Sequence, residues 1–278
     1  MCTTCGCSDA AHTTITDLTG AEGSHHDHHD HHHPHPHDHP HDHDHPHDHT
    51  HAEPAPAPGQ TRTIQLEEQI LAKNDLLAAR NRGWLEARGV LAVNLMSSPG
   101  AGKTTLLERT IRDLGGEVPI AVVEGDQETL LDAERIRSTG APVVQINTGA
   151  GCHLDAEMLA GGLRTLDPAP GTLLLIENVG NLVCPALFDL GERGKIVIIS
   201  VTEGADKPLK YPHMFRAAEL MIVNKVDLAP YVDFDIDQCI AYARQINPKL
   251  DVLRVSATRG DGLDAWYGWL RDQLSPRP

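Results

Sequence analysis

Residues 91–111, LAVNLMSSPGAGKTTLLERTI, constrain the fold more than any other part of the chain. An apolar run leads into a glycine-containing turn and then into a helix-forming stretch, which reads as strand, loop and helix. Gly100, Ala101, Gly102, Lys103, Thr104 and Thr105 stand in the order of a phosphate-binding loop. Backbone N–H groups at such glycines and at a helix N-terminus can cradle phosphates; Lys103 can reach the β- and γ-phosphates, and the Thr104 hydroxyl can bind magnesium. Ser97 stands where the usual pattern has its first glycine, so the assignment rests also on the flanking strand and helix.

The surroundings fit. VLAVNLM, VPIAVVE, PVVQIN, TLLLIEN, KIVIIS, LMIVN and DVLRVS recur from Val90 onward, separated by helical stretches. This alternation predicts an α/β fold, a mainly parallel sheet with helices on both faces, with ligands beyond the strand C-termini. Residues 61–88 are expected to form an amphipathic helix, because Ile64, Ile70, Leu71, Leu77, Trp84 and Leu85 recur at helical spacing among charges. Residues 89–278 then form a P-loop GTPase domain.

Guanine is the expected base. In MIVNKVDL, Asn224, Lys225 and Asp227 follow a strand, and a carboxylate at Asp227 can accept both the N1–H and the exocyclic amine of guanine. Adenine offers neither donor at that edge, so GTP and GDP are favoured over their adenine counterparts. Ser256, Ala257 and Thr258 follow the last strand, where a backbone N–H can face the guanine O6. Between these motifs, Glu177 ends an apolar strand and is expected in the magnesium shell, with Gly180 sensing the γ-phosphate; Asp126 ends another strand and is a second magnesium candidate. Asn181, not Gln, follows Gly180. Without a Gln there to orient the attacking water, conversion of GTP to GDP and phosphate is expected to be slow.

The N-terminal sixty residues have another character. They hold ten acidic residues and no Lys or Arg, contributing −10 of the formal −16. Such a balance excludes nucleic acid and anionic membrane as attracted partners. No stretch resembles a membrane span or a signal peptide, which predicts a cytoplasmic protein, where close-spaced thiols are more often metal ligands than disulfides. Residues 1–60 read as a disordered metal-binding extension ending in the Pro-rich linker EPAPAPGQ. Its densest part, residues 25–51, consists of His, Asp, Pro and one Thr, with imidazoles at His25, His26, His28, His29, His31, His32, His33, His35, His37, His39, His41, His43, His45, His47, His49 and His51. Imidazole suits zinc, copper and nickel alike. An expression tag would be an unbroken run, whereas the longest here is three.

Two sharper clusters accompany the tract. Cys2, Cys5 and Cys7 lie within six residues and can wrap one metal, with a planar N/S set suiting nickel and a tetrahedral one zinc. Cys152, His153 and Cys184 all follow strand C-termini, which places a second candidate metal site near the nucleotide and, if exposed, near the mate of a homodimer.

The motifs MCTTCGC, SSPGAGKTT, EGDQET, TGAGCH, ENVGNLVCP and NKVDL together resemble the HypB family of hydrogenase maturation GTPases, nickel-incorporation factors of the SIMIBI class. The resemblance implies a high-affinity nickel site at Cys2, Cys5 and Cys7 and a weaker nickel or zinc site at Cys152, His153 and Cys184. It also implies a GTP-dependent dimer and handover of nickel, with a small zinc-containing accessory protein, to the nickel–iron hydrogenase large-subunit precursor. The His tract is the family's variable element and is associated with nickel storage. Two other readings compete: a urease-type nickel-insertion GTPase, and a nickel buffer whose GTPase domain is idle.

Overall fold

The computed structural model describes residues 13–19, 58–127, 130–149 and 151–275. Eight strands make one sheet: β1 (Thr14–Asp17), β2 (Leu91–Ser97), β3 (Ile120–Asp126), β4 (Val143–Asn147), β5 (Leu173–Glu177), β6 (Gly194–Ser200), β7 (Leu220–Asn224) and β8 (Asp251–Arg254). Their order is β1-β4-β3-β5-β2-β6-β7-β8. Every neighbouring pair from β4 to β8 is parallel. The seven apolar runs expected as strands are those parallel strands; they read as continuous apolar runs because the sheet is covered on both faces.

Nine α-helices are assigned among the described residues: α1 (Pro58–Ala87), α2 (Lys103–Leu114), α3 (Leu131–Arg137), α4 (Ala156–Leu166), α5 (Cys184–Leu187), α6 (Lys207–Lys210), α7 (Pro212–Ala217), α8 (Ile236–Ile246) and α9 (Leu263–Leu274). On one face, Val93 and Leu95 of β2 share an apolar cluster with Leu106 and Ile111 of α2, Ile136 of α3 and Trp266 of α9. The opposite face carries two apolar clusters. Ala92 belongs to one, with Leu85 of α1 and Leu159 of α4. Met96 belongs to the other, with Phe215 of α7 and Ile240 of α8.

Two features depart from the sequence reading. The helix expected from residue 61 starts at Pro58, a residue whose missing N–H costs nothing in a first helical turn. Within the segment read as extension, Thr14–Asp17 forms an edge strand antiparallel to β4. Ile15 docks there on α4, where a Cβ on Gly161 would lie 2.6 Å from its Cδ1. The described residues include no helix long and apolar enough to cross a membrane. Cys2, Cys5, Cys7 and the His25–His51 tract lie outside the described residues.

The topology decides where a site can form. On one side of β2 lie β5 and β3, and on the other β6 and β7, so the loops leaving β2, β3 and β5 converge at the sheet's C-terminal edge.

Candidate nucleotide and metal site

The phosphate loop is braced before any phosphate arrives. Lys103 Nζ donates to Ser97 Oγ at 2.9 Å, so the serine in the first-glycine position holds the lysine. Thr104 Oγ1 donates to Glu177 Oε1 at 2.8 Å, joining the start of α2 to the end of β5. Asn224 Nδ2 donates to Ala101 O at 2.9 Å, and Lys225 Nζ to Gly100 O at 2.7 Å, which ties the guanine motif to the same loop. Gly102 must lack a side chain: its φ is 96°, and a Cβ would come within 2.5 Å of Asn224 Nδ2. Gly180 is pressed on the loop too, since a Cβ there would lie 3.1 Å from Pro99.

A cavity of about 560 Å³ opens over this loop, walled by Gly100, Gly102, Lys103, Thr104, Thr105, Glu124, Asp126, Glu177 and Gly180 and bordered by Lys225. Asp227 lies in the first turn of the 3₁₀ helix Val226–Tyr231. On the same side, the Ala257 N–H donates to Asn224 Oδ1 at 3.2 Å, and Ser256 Oγ accepts from Arg259 N at 3.1 Å, so the last loop supports the guanine motif.

Two carboxyls dominate the cavity's electrostatics. Glu124 and Glu177 sit opposite one another in the parallel β3–β5 ladder. Burial pushes Glu177 up to about 7, against the opposing pull of Lys103 and the Thr104 hydroxyl. Glu124 is pushed up to about 9, by burial first and then by the charges of Glu177 and Asp126. Each leaves its Oε2 buried without a hydrogen-bond partner among the described residues. Hard oxygen donors left unsatisfied beside a phosphate loop fit a hard divalent cation such as magnesium.

The sulfur cluster adjoins this wall. Ligand atoms of Cys152, His153 and Cys184 lie within 4.8 Å of one another. The two sulfurs are 2.7 Å apart, and Cys152 Sγ is 3.7 Å from His153 Nδ1. Both thiols are buried. His153 stacks on Phe188 with centroids 3.9 Å apart, and burial lowers its pKa against the nearby Asp155, favouring the neutral imidazole that binds metals. Two thiols and one imidazole make a three-donor set that leaves a coordination position open.

Residues 91–254 match the family model described as CobW/HypB/UreG, nucleotide-binding domain. A hydrogenase maturation factor HypB of Azotobacter vinelandii is 58% identical over 223 residues, 80% of this chain and 74% of that protein. The chain belongs to the HypB family. The crystal structure of the hydrogenase maturation factor HypB from Archaeoglobus fulgidus matches with a TM-score of 0.70 and 44% identity, over 74% of this chain and all 100% of that one. HypB from Helicobacter pylori, solved in complex with nickel, matches with a TM-score of 0.68 and 38% identity, over 73% of this chain and 95% of that one.

Within this HypB domain, sequence reasoning missed several residues of the cavity wall, among them Glu124, Asp132, Arg135 and Asn178. Arg135 reaches Thr105 Oγ1 at 3.2 Å and Glu108 at 2.7 Å, placing a guanidinium at the rim. Glu124 was within reach of the sequence, because it stands two residues before Asp126 on the same strand.

Proposed function

We propose that the protein is a GTP-hydrolysing nickel metallochaperone that delivers nickel to the nickel–iron hydrogenase large-subunit precursor. The observation carrying this reading is the sharing of walls: the loops that bear Cys152, His153 and Cys184 are built onto the loops of the phosphate cavity. Gln127 Nε2 donates to Gly151 O at 3.1 Å, and Leu154 packs where a Gly125 side chain would stand, so β3's phosphate-side loop touches the metal loop directly. Glu177 and Cys184 lie on one connection of the chain. Nucleotide state and metal affinity are therefore linked, and linkage is reciprocal.

In the hydrolytic half of the cycle, Lys103 leaves Ser97 for the β- and γ-phosphates, and Gly100 to Gly102 close around them. Thr104, Glu177 and Asp126 would hold magnesium, which would neutralise phosphate charge. Asn224 and Asp227 select guanine, with Ser256 and Ala257 backing them. The Gly180 position offers no side chain to orient water, and Asn181 replaces the glutamine, which keeps intrinsic turnover slow.

In the metal half, neutral His153 and the two thiolates take nickel, or zinc in its place. Val183 and Leu187 bracket Cys184 and are 41% and 49% exposed, which supports a homodimer closing beside the metal, under GTP and metal control. Cys2, Cys5 and Cys7 form a tighter nickel site, the His25–His51 tract stores nickel, and the zinc-containing accessory protein assists handover.

The test is nickel titration with GDP and with a non-hydrolysable GTP analogue. Affinity at the Cys152–His153–Cys184 site is expected to differ between the two; equal affinities with equal dimerisation remove the switch. The storage reading predicts that Lys103→Ala leaves the cellular effect intact, and the urease reading that apo-urease accumulates in a deletion strain.

A further inference from the structure

Asn178 forms part of the cavity wall directly after Glu177, yet its side chain is buried in hydrogen bonds to the core. Its Oδ1 accepts from Val179 N at 3.0 Å and from Leu154 N at 3.1 Å. One oxygen thereby joins the segment expected to sense the γ-phosphate to the residue after His153. Its Nδ2 donates to Asn94 Oδ1 at 3.2 Å.

From Asn94 the bonds continue to the other metal loop. Asn94 Nδ2 donates to Glu192 Oε1 at 3.1 Å, and Glu192 Oε2 accepts from Leu190 N at 2.7 Å. Lys195 Nζ lies 3.7 Å from Glu192 Oε1 and donates to Phe188 O at 2.8 Å, with longer bonds to Ala186 O at 3.3 Å and Pro185 O at 3.4 Å. These carbonyls belong to the turn that Cys184 begins and to the residue after it.

Stability does not explain the network. Asn94 interrupts an apolar run on the central strand, between Ala92 of one core cluster and Met96 of the other. Buried polar groups cost free energy unless fully bonded, and apolar residues of similar shape often serve as well or better. What a fully bonded buried network provides is discreteness: a member that moves strands its partner, so its neighbours must move as well. The direct contacts of Gln127 and Gly125 reach only the Cys152 side, whereas the bonds of Asn178 reach both loops.

We infer that Asn178 is the positioning residue through which the segment of Val179 and Gly180 at the phosphate cavity sets both metal loops, with Asn94, Glu192 and Lys195 carrying the branch to Cys184. The inference rests on the nickel-switch reading and gives that switch its moving part. When Val179 and Gly180 shift toward a phosphate, the shared oxygen takes the Leu154 amide with it, and the asparagine pair transmits the shift to the α5 carbonyls.

The experiment uses the full chain with Cys2, Cys5 and Cys7 replaced by serine, so that thiolate-to-nickel absorption reports the Cys152–His153–Cys184 site. Nickel affinity is measured with GDP and with a non-hydrolysable GTP analogue, and the ratio is taken within each variant so that a general loss of affinity cancels. The starting protein is expected to show a ratio of about five-fold or more. In Asn178→Ala the ratio should fall to within about two-fold of one, and Lys195→Met should give an intermediate ratio with unchanged GDP affinity. A ratio retained in Asn178→Ala overturns the inference while sparing the switch. If that variant does not fold, Lys195→Met decides, and an unchanged ratio there overturns the branch to Cys184. A starting ratio near one overturns the nickel-switch reading and the coupling together.

Discussion

The phosphate cavity and the sulfur cluster occupy the same edge of the sheet but are held in different ways. In the cavity, the side chains expected to meet the ligand are themselves bonded in place: Lys103 to Ser97, Thr104 to Glu177 and Asn224 to Ala101. At the cluster, the supporting bonds act one step away, on the Leu154 amide and on the carbonyls of Pro185, Ala186 and Phe188. A phosphate therefore meets a preformed cradle, while the metal donors take their spacing from loops that the cradle's neighbours hold. This asymmetry suits a switch in which nucleotide is the input and metal affinity the output. Both ends must be polar or thiol-rich at a strand terminus, but only the output end gains from adjustable support.

The largest effect expected from breaking the comparison is at Lys103. Lys103→Ala removes the only cation that the phosphate loop itself supplies among its described residues. Loss of such transition-state charge stabilisation is expected to lower GTP hydrolysis by about 10²-fold or more. Nickel affinity of the nucleotide-free protein should stay close to that of the native chain. The measurement is a phosphate-release assay beside a nickel titration; a parallel collapse of nickel binding would mean that the two sites are one structural unit rather than input and output.

Much of this arrangement was legible in the sequence, for reasons that differ by residue. A parallel sheet covered on both faces gives apolar runs too long to miss, and strand C-termini carry the ligands, so Asp126, Glu177, Cys152 and Cys184 were placed by position alone. The strand TITD was not legible: four residues within a low-complexity segment carry too little pattern, and it exists because β4 offers an open edge. Asn94 and Asn178 were hidden for another reason. A polar residue inside an apolar run shows that something is bonded there, but the partners emerge only when the strands are ordered: Glu192 is 98 positions from Asn94, and Asn178 is 84. Glu124 stood in view two residues before Asp126 on the same strand, but its pairing with Glu177 emerges only from the register of β3 on β5.

A smaller effect sharpens the cavity side. An unfolded glutamate releases its proton near 4.5, but Glu124 holds its own up to about 9. Between these values the folded state binds the extra proton, so the stability this group contributes is fully present at low pH and is lost as pH rises through that window. Glu124→Gln, which resembles the neutral acid, should flatten the decline in metal-free, nucleotide-free protein, whose limiting slope for one such group is about 1.4 kcal/mol per pH unit. Denaturant midpoints across this window test the expectation, and parallel curves for the two proteins would place Glu124 in water rather than in the wall. Magnesium with nucleotide should also flatten the native curve, because a bound cation favours the ionised carboxyl.

The smallest effect separates the sulfur cluster from an ordinary core thiol. Cys239 is fully buried in the cluster that holds Phe215 and Ile240, and burial pushes its thiol up to about 12. Only the thiolate attacks an alkylating reagent, so at a pH of about 8 Cys239 is ionised to roughly one part in ten thousand while the fold is intact. Cys152 and Cys184 are buried at a loop surface instead, beside the exposed Val183 and Leu187. Mass spectrometry after timed alkylation of the metal-free protein should therefore find Cys152 and Cys184 modified first, protected by added nickel, with Cys239 modified only as the domain unfolds. Nickel protection that extended equally to Cys239 would show that metal binding tightens the whole domain, and the contrast between adjustable loops and a fixed cradle would lose its meaning.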